Sequence, residues 1–138
     1  NTLTKYNSYS RYGRVDKKRI LDAQDDAATV NWGGAWRMPS KAEQDELRTK
    51  CKWVWTKLNG VNGYKVIGPN GNSIFLPATG GMSYSSLVSA GLNGLYWSSS
   101  LSSGYYPVYA CCVNFDSDYV DWDLNNRYFG RSVRPVCQ

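Results

Sequence analysis

Histidine is absent from this chain of 138 residues, and that one absence removes a large class of chemistry. A Ser-His or Cys-His nucleophilic pair cannot be assembled without it. A structural zinc site is also disfavoured, because the four cysteines (Cys51, Cys111, Cys112 and Cys137) show no Cys-x-x-Cys spacing and have no His to join them. No apolar run approaches the length needed to span a bilayer, so direct membrane insertion is not expected. The glycines of Thr79-Gly80-Gly81-Met82 are followed by neither Lys-Ser nor Lys-Thr, and so read as a loop rather than a phosphate cradle. No secretory signal is visible. The chain opens on Asn1 rather than Met, however, which reads as a processed or excised piece, so the missing signal carries little weight.

What is present is a single domain's worth of residues, rich in Trp (6) and Tyr (11), with a net charge of +5. The charge is unevenly placed. Residues 1–100 hold 13 Lys and Arg against 7 Asp and Glu, whereas residues 101–138 hold 3 Arg against 4 Asp. A nucleic-acid binder concentrates its cations beside its aromatics. Here the two are segregated, which argues against a nucleic-acid partner and for a solvated basic face.

Four cysteines allow three pairings. A Cys51–Cys137 bridge would tie the end of a helix to the last strand in an oxidising compartment; the alternative is four thiols in a reducing one. Adjacent Cys111 and Cys112 bridge poorly, and in a strand they point to opposite faces.

Local patterns predict two short helices and several short strands. Residues 1–19 read as a polar lead-in. A helix is expected over Asp22–Trp32, with acidic residues at its start and Gly33-Gly34 at its end. A second begins after Met38-Pro39-Ser40, where Ser40 and Glu43 form an S-x-x-E capping box, and runs to about Lys50. Lys52–Leu58 alternates with Trp53 and Trp55 on one face, as a half-buried strand does. Residues 64–68 and 73–77 form a hairpin across Pro69-Asn70-Gly71-Asn72, and residues 79–94 read as a Gly- and Ser-rich loop. Strands are expected at Leu95–Ser99, Val108–Phe115, Tyr119–Leu124 and Ser132–Cys137, the middle two joined by Asp116-Ser117-Asp118. This is an α+β pattern.

The last third interleaves two compositions. A frame (Tyr96-Trp97-Ser98-Ser99-Ser100, Ala110, Val113-Asn114-Phe115, Val120, Trp122 and Gly130 to Val136) suits packing. The insert between is crowded with Tyr105, Tyr106, Tyr109, Cys111, Cys112, Asp116, Asp118, Tyr119, Asp121, Asp123, Asn125, Asn126, Tyr128 and Phe129. Tyr buries much area with little rotamer loss, and Asn, Ser and Asp add adaptable hydrogen bonds, the composition of an antibody paratope. Alternation sets Tyr119, Asp121 and Asp123 on one face and Val120 and Trp122 on the other. Trp122 is thus expected to anchor the core, at about 3–5 kcal/mol.

Several segments together resemble a known family: Asp25-Asp26-Ala27-Ala28, Asn31-Trp32-Gly33-Gly34, Trp36-Arg37-Met38-Pro39, Asn72-Ser73-Ile74-Phe75-Leu76-Pro77, Tyr96-Trp97-Ser98-Ser99-Ser100 and Arg131-Ser132-Val133-Arg134-Pro135-Val136. In this order they are similar to the major paralogous domain family first noted in Fibrobacter succinogenes and abundant in Bacteroides and their phages. The resemblance covers the chain from about Asp22 onward. It implies a C-type-lectin-like fold of the formylglycine-generating-enzyme type, a single domain over 1–138, and an upstream segment preceding Asn1. Many members are variable proteins of diversity-generating retroelements, in which adenine-directed mutagenesis rewrites Asn-type AAY codons. Rewriting the first two bases of such codons cannot yield Lys, Glu, Gln, Met or Trp. Residues 101–129 contain none of the first four, and their one Trp, Trp122, falls in frame phase. Ordinary β-rich composition is the alternative source of that pattern.

The resemblance therefore implies a non-enzymatic binding domain with a variable region over about 96–137. Its expected ligand-binding residues are Tyr105, Tyr106, Tyr109, Cys111, Asp116, Asp118, Tyr119, Asp121, Asp123, Asn125, Tyr128 and Phe129. The expected partner is a protein or glycan on a cell surface, met from a phage tail fibre or a bacterial surface, with no cofactor. Formylglycine-generating relatives hold copper on paired cysteines, but Cys111-Cys112 are adjacent and lie in the insert, so that activity is not carried over. Calcium would be attracted by Asp116, Asp118, Asp121 and Asp123, yet the loop glycine of an EF-hand and the Glu-Pro-Asn or Gln-Pro-Asp tripeptides of sugar-binding lectins are missing. A structural or adhesive domain of the same fold without a diversified site is the alternative.

Overall fold

The structure, a computed structural model, describes residues 2–102, 104 and 106–137. Two side chains start the two α-helices found among the described residues. Asp26, which is buried, accepts from the backbone N–H groups of Ala28 and Thr29 at 2.9 and 3.0 Å and so caps α1 (Ala27–Trp32). Its carboxylate oxygens also accept from the Met38 N–H at 3.1 and 2.9 Å, joining the residues before α1 to those before the next helix. The helix begins five residues later than the expected Asp22, because Asp25 and Asp26 donate to the Asp22 carbonyl in a turn. Gly33 ends α1 at φ +90°, a conformation that favours glycine. The helix α2 (Lys41–Lys50) carries the expected capping box: Ser40 Oγ accepts from Glu43 N–H while the Glu43 carboxylate accepts from Ser40 N–H.

Among the described residues, ten short strands follow or flank these helices, giving a mixed α+β structure. A two-residue ribbon pairs β1 (Trp36–Arg37) with β10 (Val136–Cys137). A meander joins β2 (Lys52–Leu58), β3 (Val61–Ile67) and β4 (Ser73–Pro77). A small hairpin pairs β5 (Gly81–Ser83) with β6 (Ser86–Val88), and a second meander joins β7 (Gly94–Leu101), β8 (Tyr109–Phe115) and β9 (Val120–Asn126). All of these ladders are antiparallel.

The main core lies where the two meanders and α2 meet. Phe115 is fully buried, among Tyr64, Val66, Leu76, Tyr96 and Val113, with Leu47 of α2 packed against them. Trp53 and Trp55, on one face of β2 as expected, meet Phe115 edge-on at centroid distances of 5.9 and 6.4 Å. The Gln44 amide donates to the Tyr96 and Trp97 carbonyls at 3.0 and 3.2 Å, fastening α2 to β7. A second cluster joins Tyr6 to Leu101 and Ala110. The lead-in is thus packed rather than loose. Tyr6 Oη donates to Asp25 at 2.5 Å and accepts from the Asp22 N–H at 2.9 Å; burial first, and the bond to Asp25 second, push its phenol up to about 12.

Three local expectations are corrected. Residues 79–94 hold the β5–β6 hairpin, because Met82 and Gly130 exchange backbone hydrogen bonds at 2.7 and 3.0 Å, a tertiary tie that local composition does not reveal. The final strand is confined to Val136–Cys137. Upstream of it, Ser132 bonds across to Leu95 and Trp97, and Pro135 has no N–H to continue a ladder. The Cys51–Cys137 bridge is not formed, and all four cysteines are thiols. Cys137 pairs with Trp36 before α2 begins, whereas Cys51 follows its last turn, and a ten-residue helix spans about 15 Å. A disulfide needs Cα atoms within about 7 Å.

Candidate functional site

The β8–β9 hairpin carries most of the insert, and its register decides which residues share a face. Cross-strand partners point the same way, so Cys111, Val113 and Phe115 share one face with Leu124, Trp122 and Val120. That face packs against α2 and the first meander. The opposite face presents Ala110, Cys112 and Asn114 on β8 and Asn125, Asp123 and Asp121 on β9. The expected alternation of Asp121 and Asp123 against Val120 and Trp122 therefore holds, as does that of Val113 and Phe115 against Asn114.

Two placements differ from expectation. Cys111 is only 4% exposed, and burial pushes its thiol up, so it is a wall of the packed face and not part of a displayed surface. The reason is that β8 is the central strand of its sheet, covered on both faces; neighbouring Cys112 is buried as well. Trp122 is 43% exposed and is not a core anchor. It lies on the correct face, but β9 is an edge strand, and the Lys41 ammonium lies over the ring. Phe115 holds the anchoring position instead.

The remaining site residues fall into separate groups. At the hairpin turn, Asp116 Oδ1 accepts from the N–H groups of Asp118 and Tyr119 at 2.8 and 3.2 Å, which sets the turn and leaves Asp118 and Tyr119 exposed. Burial first, and the Asp116 charge second, push the Tyr119 phenol up. Along β9, Asp121 meets Arg48 of α2 at 3.5 Å, and Asp123 accepts from Asn125 Nδ2 at 2.9 Å. Beyond the strand, Tyr128 and Phe129 touch at a centroid distance of 4.6 Å. The Arg131 guanidinium lies 4.7 Å from the Phe129 ring and donates to Asn125 Oδ1 at 2.9 Å. Asp123, Asn125, Tyr128 and Phe129 thus form one continuous surface, with Arg131 as its brace.

Tyr106 and Tyr109 stand apart from it. They meet edge-on at 6.0 Å, and Tyr109 shares a face with Cys111 rather than with Asp123. The turn group is about 20 Å from the far end of a seven-residue strand. Tyr105 lies outside the described residues. Among the described residues no three His, Cys, Asp or Glu side chains converge as metal ligands.

Sequence reasoning missed Tyr84. It is 88% exposed at the tip of the β5–β6 hairpin, at φ +54°, and its ring lies 6.3 Å from that of Tyr128. It extends the aromatic surface outside the insert. A lone Tyr in a Gly- and Ser-rich stretch was the only signal, and it says nothing about a neighbour 44 residues away. No protein-family model, curated protein or solved structure matches the chain.

Proposed function

We propose that this is a non-enzymatic ligand-binding domain of C-type-lectin-like fold, whose C-terminal hairpin and the loop after it display a diversified binding surface. The observation that carries this reading is the position of Asp121, Asp123, Asn125, Tyr128 and Phe129. They sit on an edge strand and its exit loop, over a sheet whose other face is anchored by Phe115 and Val113. An edge position tolerates side-chain change because little packs on it, while the central strand keeps its register. Exposed Tyr128 and Tyr119, flanked by carboxylates and amides, supply rigid contact area with adaptable hydrogen bonding. The ligand is a protein or glycan on a cell surface, met from a bacterial surface or a phage tail fibre.

The test is the source DNA. A near-copy of the stretch encoding Tyr96–Val136, beside a reverse-transcriptase gene and carrying adenines wherever the two differ, supports the reading. Differences at the codons of buried Val113 and Phe115 would contradict it, as would the absence of any copy. A second reading, an adhesive surface domain with no diversified site, draws on apolar side chains exposed outside the insert, among them Trp32, Leu87 and Leu92. Sibling sequences that vary across all loops would favour it.

A further inference from the structure

On the face of the β7–β8–β9 sheet opposite Val113 and Phe115 lies a cavity of about 310 Å³. Leu21, Met38, Trp97 and Ala110 line it, together with two guanidinium-bearing side chains, Arg127 and Arg131. No carboxylate lines it among the described residues. Elsewhere the arginines drawn close to the fold find acids: Arg37 is paired with Glu43, and Arg48 with Asp45 and Asp121. Arg127 and Arg131 make no ion pair among the described residues. Arg127 Nη1 donates only to the carbonyls of Tyr6 and Pro107, at 3.3 and 2.9 Å. Arg131 uses Nη2 on Asn125, and its Nε and Nη1 are buried without a hydrogen-bond partner. Burial lowers the Arg127 guanidinium from its ordinary value, and the charge of Asp16 acts the other way.

Two guanidinium groups with no ion-pair partner among the described residues, beside an apolar wall, define a ligand chemistry. Guanidinium presents donors in a planar fork that matches a carboxylate. We propose that this cavity binds a small organic carboxylate, with its apolar body against Leu21, Met38 and Trp97 and its carboxylate facing Arg127 and Arg131. None of these residues is among the displayed insert positions, although Arg131 is held by two that are, Asn125 and Phe129.

The probe is 3-phenylpropionate, with 3-phenylpropionamide as its neutral counterpart, titrated into the whole domain labelled with ¹⁵N. The Trp97 indole and Ala110 amide signals shift saturably with the acid, and the amide binds about tenfold more weakly, since it lacks the charge-assisted bonds. Arg131→Met keeps an unbranched apolar stem, removes the cation and abolishes the saturable shift. The wild-type shift map needs no variant to be decisive. Shifts confined to Tyr119, Asp123 and Tyr128, no saturable shift at the solubility limit of the acid, or equal binding of acid and amide each overturns the proposal.

Discussion

The Lys41 ammonium lies 4.4 Å from the centroid of the Trp122 ring, so the first residue of α2 covers an aromatic side chain on the edge strand β9. Lys41 is held in place by an ion pair one turn on, to Asp45 at 2.5 Å. A half-exposed indole under a lysine contributes far less than one sealed in a core. Trp122→Ala should therefore cost about 1–2 kcal/mol, from partial burial and one cation–π contact. Phe115→Ala should cost about 3–5 kcal/mol. Urea unfolding of the two variants gives the comparison, and equal losses would contradict the edge position of Trp122.

Gly94 faces Phe115 so closely that a Cβ there would lie 1.9 Å from Phe115 Cζ. The clash is with a fully buried ring of the core. Gly94→Ala should destabilise by about 3 kcal/mol, the upper end of overpacking costs, and lower the thermal midpoint. A midpoint unchanged within error would mean the ring has room to move.

Glu43 receives two hydrogen bonds from the Arg37 guanidinium, at 2.7 and 2.6 Å, and these foremost pull its carboxyl down to about 2. The folded value lies below the unfolded one of 4.5, so the stabilisation is complete above that pH and is lost as pH falls toward 2. Because the pair is more than a third exposed on the Glu43 side, solvent screening reduces its worth to about 1 kcal/mol. Wild type and Glu43→Gln should differ by that amount near neutrality and converge at the acid end, measured by unfolding across the pH range.

Cys112 is wholly buried, and burial pushes its thiol up to about 12. Iodoacetamide applied to the folded protein should leave Cys111 and Cys112 unmodified, and unfolding should make all four cysteines reactive. Peptide mapping after labelling reads this directly. Native labelling of Cys111 would restore it to the displayed surface.

Tyr128 is largely exposed, and Asp123 is exposed and bonded to Asn125 of its own strand. Tyr128→Ser and Asp123→Ser should each change stability by no more than about 0.5 kcal/mol, the range for exposed positions. Calorimetry checks this, and a loss as large as that for Trp122→Ala would assign them a packing role.

Local chemistry was enough for much of the architecture. The S-x-x-E pattern at Ser40 and Glu43 located the start of α2 to the residue, since a capping box is satisfied within one turn. Strand positions followed from alternation in Lys52–Leu58 and from the turn at 116–118, and the faces of Val113, Asn114 and Phe115 followed from a period of two. The β5–β6 hairpin was not legible, because its pairing is completed by Gly130, far along the chain.

The sequence by itself determined which side of β9 each residue takes, because alternation is a property of the backbone. Only the tertiary structure decided how deeply each side is covered. Burial depends on the neighbours a strand acquires: β8 became central, which sealed Cys111, and β9 became an edge, which left Trp122 to Lys41 and kept Asp123 and Asn125 at the surface. The convergence of Arg127 and Arg131 on one cavity arose in the same way, from elements distant in sequence closing around it.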